Sequence, residues 1–429
     1  MLLSYSIKNW KSIKEKITLD LRAKSIKDHI QNKNHLLDGN ILPISVIYGP
    51  NGGGKSSIME SISFFVNDIL KNFLYRKDLL TNNNYLENIS FLLKHIKNVK
   101  TKYEPIDLEF NFLRNDGSIF NYQISIQNSI NNKFNFSYEK LSIYKNKKEI
   151  RLLKMEKNQT SFFNNLAFAP IDKLKNFGPH IPLIFSLYDS YDYKEIKELI
   201  EEHFLNIQTI HNVTLSEQID PDTKYIAKGF NFNAYYIATE IKEIFDEYKK
   251  EFLGVIKKID SNIVDIRIDD LGTKEYSIYI ARRFEFGEIK EIPFILESYG
   301  FREIFILLLM FLSGTKKNSI FVVDELDSHL HTKVLRYLIG LFTNQKGTKS
   351  QLIYTSHDTP TLDKNLFRRD EIYFVELNES NFTDLVSLYD FGKSIRNNQS
   401  YEKQYLDEKI GFIPYIDYSE DENSNKNRI

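Results

Sequence analysis

The sequence predicts an α/β protein, a mixed sheet with flanking helices plus an antiparallel β-lobe and a helical insert. Three observations predict it. The apolar run "ILPISVIYG" passes through a glycine-rich loop into the amphipathic stretch "KSSIMESISFFVNDIL". Residues 105–155 alternate apolar and polar side chains around the turn "NDGS", as antiparallel strands do. The second half interleaves short apolar runs, such as those in "SIFVVDELDSHLH" and "LIYTSHDTP", with helical stretches.

Composition bounds the rest. At 429 residues the chain exceeds one compact core, so two or three packed lobes are expected. It holds no cysteine, which excludes a disulfide framework and a thiolate metal site and fits a reducing compartment. The opening "MLLSYSIKNWKSIKEK" carries charges where a signal peptide needs an apolar core. The longest apolar run, "IFILLLMFL" at Ile304 to Leu312, is too short to cross a bilayer. A cytoplasmic protein with no membrane partner is expected. Net charge is −1, from 57 basic and 58 acidic side chains; a whole-surface polyphosphate binder is usually more basic. The lysine-rich stretches "YEKLSIYKNKKEIRLLKMEK" and "LLKHIKNVKTKYE" read as solvated faces, a local nucleic-acid patch being the alternative.

In chain order, "LLSYSIKNW" and "KITLDL" read as strands, and "ISVIYG" as a buried strand leading into the glycines. Gly49, four residues, Gly54, Lys55 and Ser56 fit the phosphate-binding loop G-x-x-x-x-G-K-[ST]. Glycine lets the backbone approach a ligand closely, and successive N–H groups then cradle phosphate oxygens. A helix starting near Lys55 adds its positive N-terminal end. Asn51, Gly52, Gly53, Gly54 and Ser57 complete the expected nucleotide-binding set. Lys55 would reach the β- and γ-phosphates, and the Ser56 hydroxyl would ligate Mg²⁺. A glycine-rich turn without a ligand is the plain alternative.

Residues 1–160 form an expected N-terminal lobe. From 161 to 262 the pattern is mainly helical, with "DYKEIKELIEEHFLNIQTI" and "YYIATEIKEIFDEYKKEFLGVIKKI". Residues 263–415 form a C-terminal lobe, opening with the strands "IVDIRIDD" and "YSIYIARRFEF". The polar tail 416–429 is expected to be disordered. There is no internal repeat and no sustained heptad, so no long coiled coil is expected.

The C-terminal lobe carries the remaining motifs. The apolar strand from Ile320 to Val323 ends in Asp324 and Glu325. Asp324 would hold Mg²⁺ through water, and Glu325 would polarise an attacking water. "LIYTSHDTP" is another apolar strand, ending at His357, which could bond a γ-phosphate or be a plain structural histidine. "ESYGF" precedes a helix from about Phe301 to Leu312, with Gly314 near its end. Ser298 there is either an anion contact or a helix N-cap.

Taken together, the phosphate loop, Ser-x-Gly with its helix, the acidic strand, "LDSHLH" and "TSHD" resemble, in order, the heads of ABC-class ATPases. "ESYGF" stands where that class has "LSGGQ", with Tyr299 and Phe301 departing from it and Ser298 and Gly300 retained. Asp327 and Ser328 match the class's dimer-interface loop. His329 and His331 read as part of that loop. The long gap between phosphate loop and signature resembles the SMC, RecF and OLD branch. "YSIKNWKS" resembles that branch's "NFRS" opening, which implies Lys11 as a nucleotide contact. Gln123 is a candidate for its glutamine loop, an exposed strand glutamine being the better reading. The stretches "LFRRDEIYFVELNE", "TDLVSLYDFGKSIR" and "YLDEKIGFIPYI" resemble the C-terminal lobe of stand-alone ATPases of phage-defence operons, of the Septu, retron and abortive-infection types.

The resemblance implies an ATP-binding and ATP-hydrolysing protein that uses Mg²⁺ and closes as a homodimer, or a higher assembly, around ATP. Lys55, Glu325 and His357 would serve catalysis. Ser298, Gly300 and Asp327 would complete the nucleotide site, and Ser56 and Asp324 would hold the metal. It also implies a separate effector, a nuclease or toxin, with nucleic acid permitted but not required. A DNA-repair ATPase of the RecF or SMC kind is the alternative.

Overall fold

Strands whose burial alternates and strands buried along their whole length both occur in this chain. The structure, a computed structural model, describes residues 1–26, 36–37, 40–75, 83–96, 104–128, 134–156, 159–162, 182–188, 194–210, 239–270, 276–343, 349–394 and 400–407. The expected disordered tail, 416–429, lies outside those residues. So do residues 163–181, 189–193 and 211–238 of the expected helical insert.

The strands in chain order begin with β1 (Leu2–Lys8), β2 (Ile17–Asp20), β3 (Ile44–Tyr48), β4 (Ile106–Leu113), β5 (Ile119–Asn128), β6 (Phe134–Lys145), β7 (Lys148–Glu156) and β8 (Gln159–Phe162). All of these except β3 form a seven-stranded antiparallel sheet, ordered β2-β1-β4-β5-β6-β7-β8. In β4, Ile106, Leu108, Phe110 and Phe112 are buried, while the residues between them are half-buried. In β4 one face therefore meets the core and the other is partly open to water, whereas β1 is buried on both faces.

The second half supplies β9 (Ile207–Ile210), β10 (Ile263–Asp270), β11 (Tyr276–Arg283), β12 (Ile289–Pro293), β13 (Ile320–Val323), β14 (Gln351–Thr355), β15 (Ile372–Leu377) and β16 (Thr383–Ser387). β10, β11 and β12 make a small antiparallel sheet. β3 enters a six-stranded sheet ordered β16-β15-β3-β14-β13-β9, parallel except for β16. Its central strands are buried on both faces, which is why they read as continuous apolar runs. Ile47, Val322 and Ile353 pack toward the antiparallel sheet. Val46, Tyr48, Phe321, Val323, Leu352 and Tyr354 pack on the opposite side.

Among the described residues the α-helices of six or more residues are α1 (Lys55–Ser63), α2 (Asn83–Ile96), α3 (Leu183–Tyr188), α4 (Lys194–Leu199), α5 (Thr239–Ile259), α6 (Tyr299–Lys316), α7 (Thr332–Thr343) and α8 (Tyr401–Leu406). α1 continues through π-helical turns at Phe64–Lys71. The longest α-helix among the described residues, α5, has 21 residues, about 31 Å of rise. No helix among them is long and apolar enough to cross a membrane. The apolar run at Ile304 to Leu312 lies in α6, where Phe305, Leu307, Leu308 and Phe311 are buried in the protein core.

The structure departs from the sequence reading at two places here. "NIQTI" reads as the end of a helix, but Ile207–Ile210 are β9, parallel to β13. Ile207 and Ile210 are buried there, and β-branched residues suit a pleated, half-buried edge. α6 runs from Tyr299 to Lys316 rather than Phe301 to Leu312. Gly314 lies inside it, and a side chain is excluded there because a Cβ would sit 2.3 Å from the Phe321 ring.

Candidate functional site

The buried strand β3 delivers the chain to Gly49, and α1 begins at Lys55. Two glycines between them are dictated by space and by backbone angle. Gly49 has φ 151°, and a Cβ there would lie 2.2 Å from the Val375 carbonyl oxygen. Gly54 has φ 108°, and its Cβ would lie 2.2 Å from Thr383 Oγ1. Asn51 and Gly52 are exposed at the crest of the loop, and Gly53 is buried.

Thr383, on β16, is a residue that sequence reasoning missed. Its Oγ1 donates to the Gly53 carbonyl at 3.0 Å. It also lies 2.6 Å from Ser12 Oγ, and Thr383 N donates to the Ser12 carbonyl at 2.9 Å. Thr383 thus ties "NWKS" to the phosphate loop. No sequence signal marks a strand threonine so far away in the chain.

Lys55 is buried, and its ammonium donates to the carbonyls of Gly49 at 2.7 Å and Pro50 at 3.1 Å. Burial lowers it to about 8, against the opposing pull of Asp324, Glu325 and Asp327. Ser56 is half-buried and Ser57 buried at the start of α1, which packs on β13 and β14. That packing sets the helix carrying Ser56 on the strand that ends at Asp324.

Beyond β13, Asp324 is buried and Glu325 half-buried. Thr355, the last residue of β14, holds both. Its Oγ1 donates to Asp324 Oδ1 at 2.6 Å and accepts the Glu325 N–H at 2.7 Å. Leu326 N donates to the Thr355 carbonyl at 3.1 Å, and Asp324 N to the Ile210 carbonyl at 2.9 Å. Glu325 adopts φ 53°, a left-handed conformation that non-glycine residues enter rarely. Thr355 was legible only as part of "YTSHD". Its role follows from strand order, because β14 lies between β3 and β13.

His357 follows β14. Its backbone N–H donates to Asp327 Oδ2 at 2.8 Å. Partial burial lowers its imidazole below the ordinary value, and the charge of Lys55 adds to this, opposed by Asp327, Glu325 and Asp324. The fold therefore brings Lys55, Asp324, Glu325, Asp327 and His357 within one electrostatic neighbourhood.

Ser298 and Gly300 are placed differently. Ser298 caps α6, accepting the Phe301 N–H at 3.3 Å. A Cβ on Gly300 would lie 2.7 Å from the His329 carbonyl oxygen, and the Tyr299 ring packs on His329 at 4.5 Å. Phe301 is buried and stacks under the Arg282 guanidinium at 5.1 Å. Arg282 grips Glu297 with two bonds of 2.6 and 2.7 Å. The Ser298–Gly300 turn is thus anchored to the Asp327–His329 loop.

Lys11 pairs with Glu60 of α1, and its backbone N–H donates to the Ile96 carbonyl at 2.6 Å. Gln123 lies half-buried on β5, not exposed as expected, and donates to Glu109 Oε1 at 3.1 Å. His331 accepts the Lys333 N–H on Nδ1 at 3.1 Å. Among the described residues no group of three or more His, Asp or Glu could hold a metal. Mg²⁺ needs no such cage, since one or two hard oxygen ligands and waters suffice. The Ser56 hydroxyl and the Asp324 carboxylate fit that requirement.

Solved structures of SMC head domains resemble the chain, three of them as follows. The SMC head domain from Thermotoga maritima is 13% identical, with 90% of this chain and 98% of that one covered at a TM-score of 0.41. An Smc head bound to the C-terminal winged-helix domain of ScpA is 14% identical, with 90% and 97% covered at 0.45. An Smc head with an extended coiled coil, bound to the C-terminal domain of ScpA from Pyrococcus furiosus, is 14% identical, with 95% and 99% covered at 0.38. No curated protein matches the chain. The family model described as "AAA domain, putative AbiEii toxin, Type IV TA system" matches residues 44–363, from the first residue of β3 past the His357 turn. The chain belongs to this family of AAA-type ATPase domains.

Proposed function

We propose that the chain binds ATP with Mg²⁺, hydrolyses it between two copies of itself, and so controls a separate effector, a nuclease or toxin, in antiviral defence. The observation that carries the reading is the convergence of Lys55, Asp324, Glu325, Asp327 and His357 at the mouth of a glycine loop. A buried ammonium bonded to its own loop carbonyls is ready to exchange them for phosphate oxygens. The backbone N–H groups of Gly52 to Ser57 and the start of α1 would cradle the β-phosphate. Bound Mg²⁺ would supply charge neutralisation between the phosphates. Glu325 would take the proton of the attacking water, and His357 would face the γ-phosphate. Most of the rate would come from positioning and charge.

Ser298 and Gly300 are anchored to the His329 segment rather than to the Lys55 loop. This supports a composite site in which one copy offers Lys55 and its partner offers Ser298. Loss of the γ-phosphate would then loosen the pair, a nucleotide-driven switch. The lobe division at 1–160, 161–262 and 263–415 is part of the same reading. Lys11 would approach the nucleotide only by leaving Glu60.

The test is the purified chain with Mg²⁺. It should hydrolyse ATP, associate when ATP is bound, and leave DNA, RNA and tRNA intact. Nuclease activity that survives Glu325→Gln would replace this reading with that of a fused effector. ATP-dependent, salt-sensitive DNA binding that accelerates hydrolysis would instead favour a DNA-repair ATPase.

A further inference from the structure

Glu303 is a buried carboxylic acid with no part in the reading above. It lies near the start of α6, five residues after Ser298, and is 4% exposed. Its Oε2 has no hydrogen-bond partner. His329 Nδ1, itself 3.0 Å from Ser328 Oγ, lies 3.4 Å from that oxygen. Burial raises the Glu303 carboxyl to about 8, with the Asp327 charge adding to it. An acid so buried costs stability unless it makes a compensating contact, and the basic atom facing it belongs to the interface loop.

That loop is under local constraint. His329 adopts φ 57° and Glu325 φ 53°. Ser328 N donates to the Glu325 carbonyl at 2.9 Å, and Leu330 N to the Asp327 carbonyl at 3.1 Å. The His329 ring lies against Tyr299, and its carbonyl lies against Gly300. A shift of His329 must therefore move Asp327 and the signature turn together. Through Asp327 Oδ2 it also reaches the His357 backbone.

We propose that Glu303 is a positioning residue: acting through His329, it holds the Asp327–His329 loop against the Ser298–Gly300 turn and so sets the rate of hydrolysis without taking part in nucleotide binding. This rests on the ATPase reading above. Near neutral pH the acid is mainly protonated, so a neutral amide of the same shape is the appropriate mimic, and Glu303→Gln should keep the loop in place. Glu303→Ala should not.

The test uses the full chain and ATP, with Kd by calorimetry and kcat by phosphate release. Glu303→Ala is expected to keep Kd within about twofold of the parent and to lower kcat at least tenfold. Glu303→Gln should recover most of that rate. His329→Ala, a change at a partly exposed residue, should lower kcat by a similar factor. The double variant should be no slower than the slower single one, because two residues that act through each other do not add. Unaltered kcat in Glu303→Ala, or full additivity with His329→Ala, overturns the inference while leaving the ATPase reading intact. Parallel loss of Kd and kcat in both Glu303 variants also overturns it, since it would show a folding role. A parent chain that binds ATP but never turns it over overturns the ATPase reading and this inference with it.

Discussion

Thr355 Oγ1 donates to Asp324 Oδ1 at 2.6 Å while accepting the Glu325 N–H at 2.7 Å. One buried hydroxyl on β14 therefore holds the Asp324 carboxylate and the backbone of Glu325 just beyond β13. Thr355→Val keeps the shape and removes both bonds. A hydrogen bond to a charged group contributes about 1.5–3 kcal/mol, and urea unfolding should show a loss of that order. Phosphate release should slow at least tenfold, and Thr355→Ser should restore it. A fully active valine variant would show that the acids hold themselves.

Lys55 gives a pH signature. Its folded-state value, about 8, lies below the 10.5 of the free side chain. Between those two values the unfolded chain binds more protons than the folded one, so stability rises with pH there. The burial penalty is fully present below pH 8 and is relieved as pH climbs toward 10.5. That gap corresponds to about 3 kcal/mol, absent in Lys55→Met when chemical unfolding is followed across this range. Polyphosphate should restore the charged form, so binding at pH 8.5 should take up a proton. Calorimetry in two buffers of different ionisation enthalpy reads this directly, and equal apparent enthalpies would refute it. Lys55→Ala should lose ATP binding altogether.

Glu325→Gln should bind ATP like the parent and hydrolyse it about 10²–10⁴ times more slowly, the usual contribution of a general base. It should also accumulate the associated form, seen by light scattering with ATP present. Parent-like turnover would remove Glu325 from the chemistry.

Ser298→Arg should leave the first contact with ATP nearly normal and abolish both hydrolysis and ATP-dependent association. Hydrolysis that persisted, and stayed first order in protein at high dilution, would contradict the composite site.

Thr383→Val probes the support of the phosphate loop. It deletes the bond to the Gly53 carbonyl and the hydroxyl contact with Ser12 Oγ, leaving the backbone bond to Ser12 in place. ATP affinity should fall about tenfold, with Thr383→Ser close to the parent. Unchanged affinity would mean that the loop keeps its shape without the β16 support.

Much of this was legible in the sequence because it depends on local spacing. Gly49, Gly54, Lys55 and Ser56 sit within one turn between a strand and a helix, where backbone angle and close approach leave few residue types. The apolar run into Asp324 and Glu325 and the alternation in β4 also follow from short-range periodicity. The α/β class and family membership are therefore carried by the chain alone. What tertiary structure decided depends on pairs far apart in sequence. β9 exists because Ile207–Ile210 find an edge beside β13, although their own stretch reads as helix. Thr383 meets Gly53, Thr355 orients Asp324, and Glu303 faces His329 only once strands and helices from distant segments have packed. Such contacts leave no periodic trace, because each is a single side chain whose meaning comes from what lies opposite it.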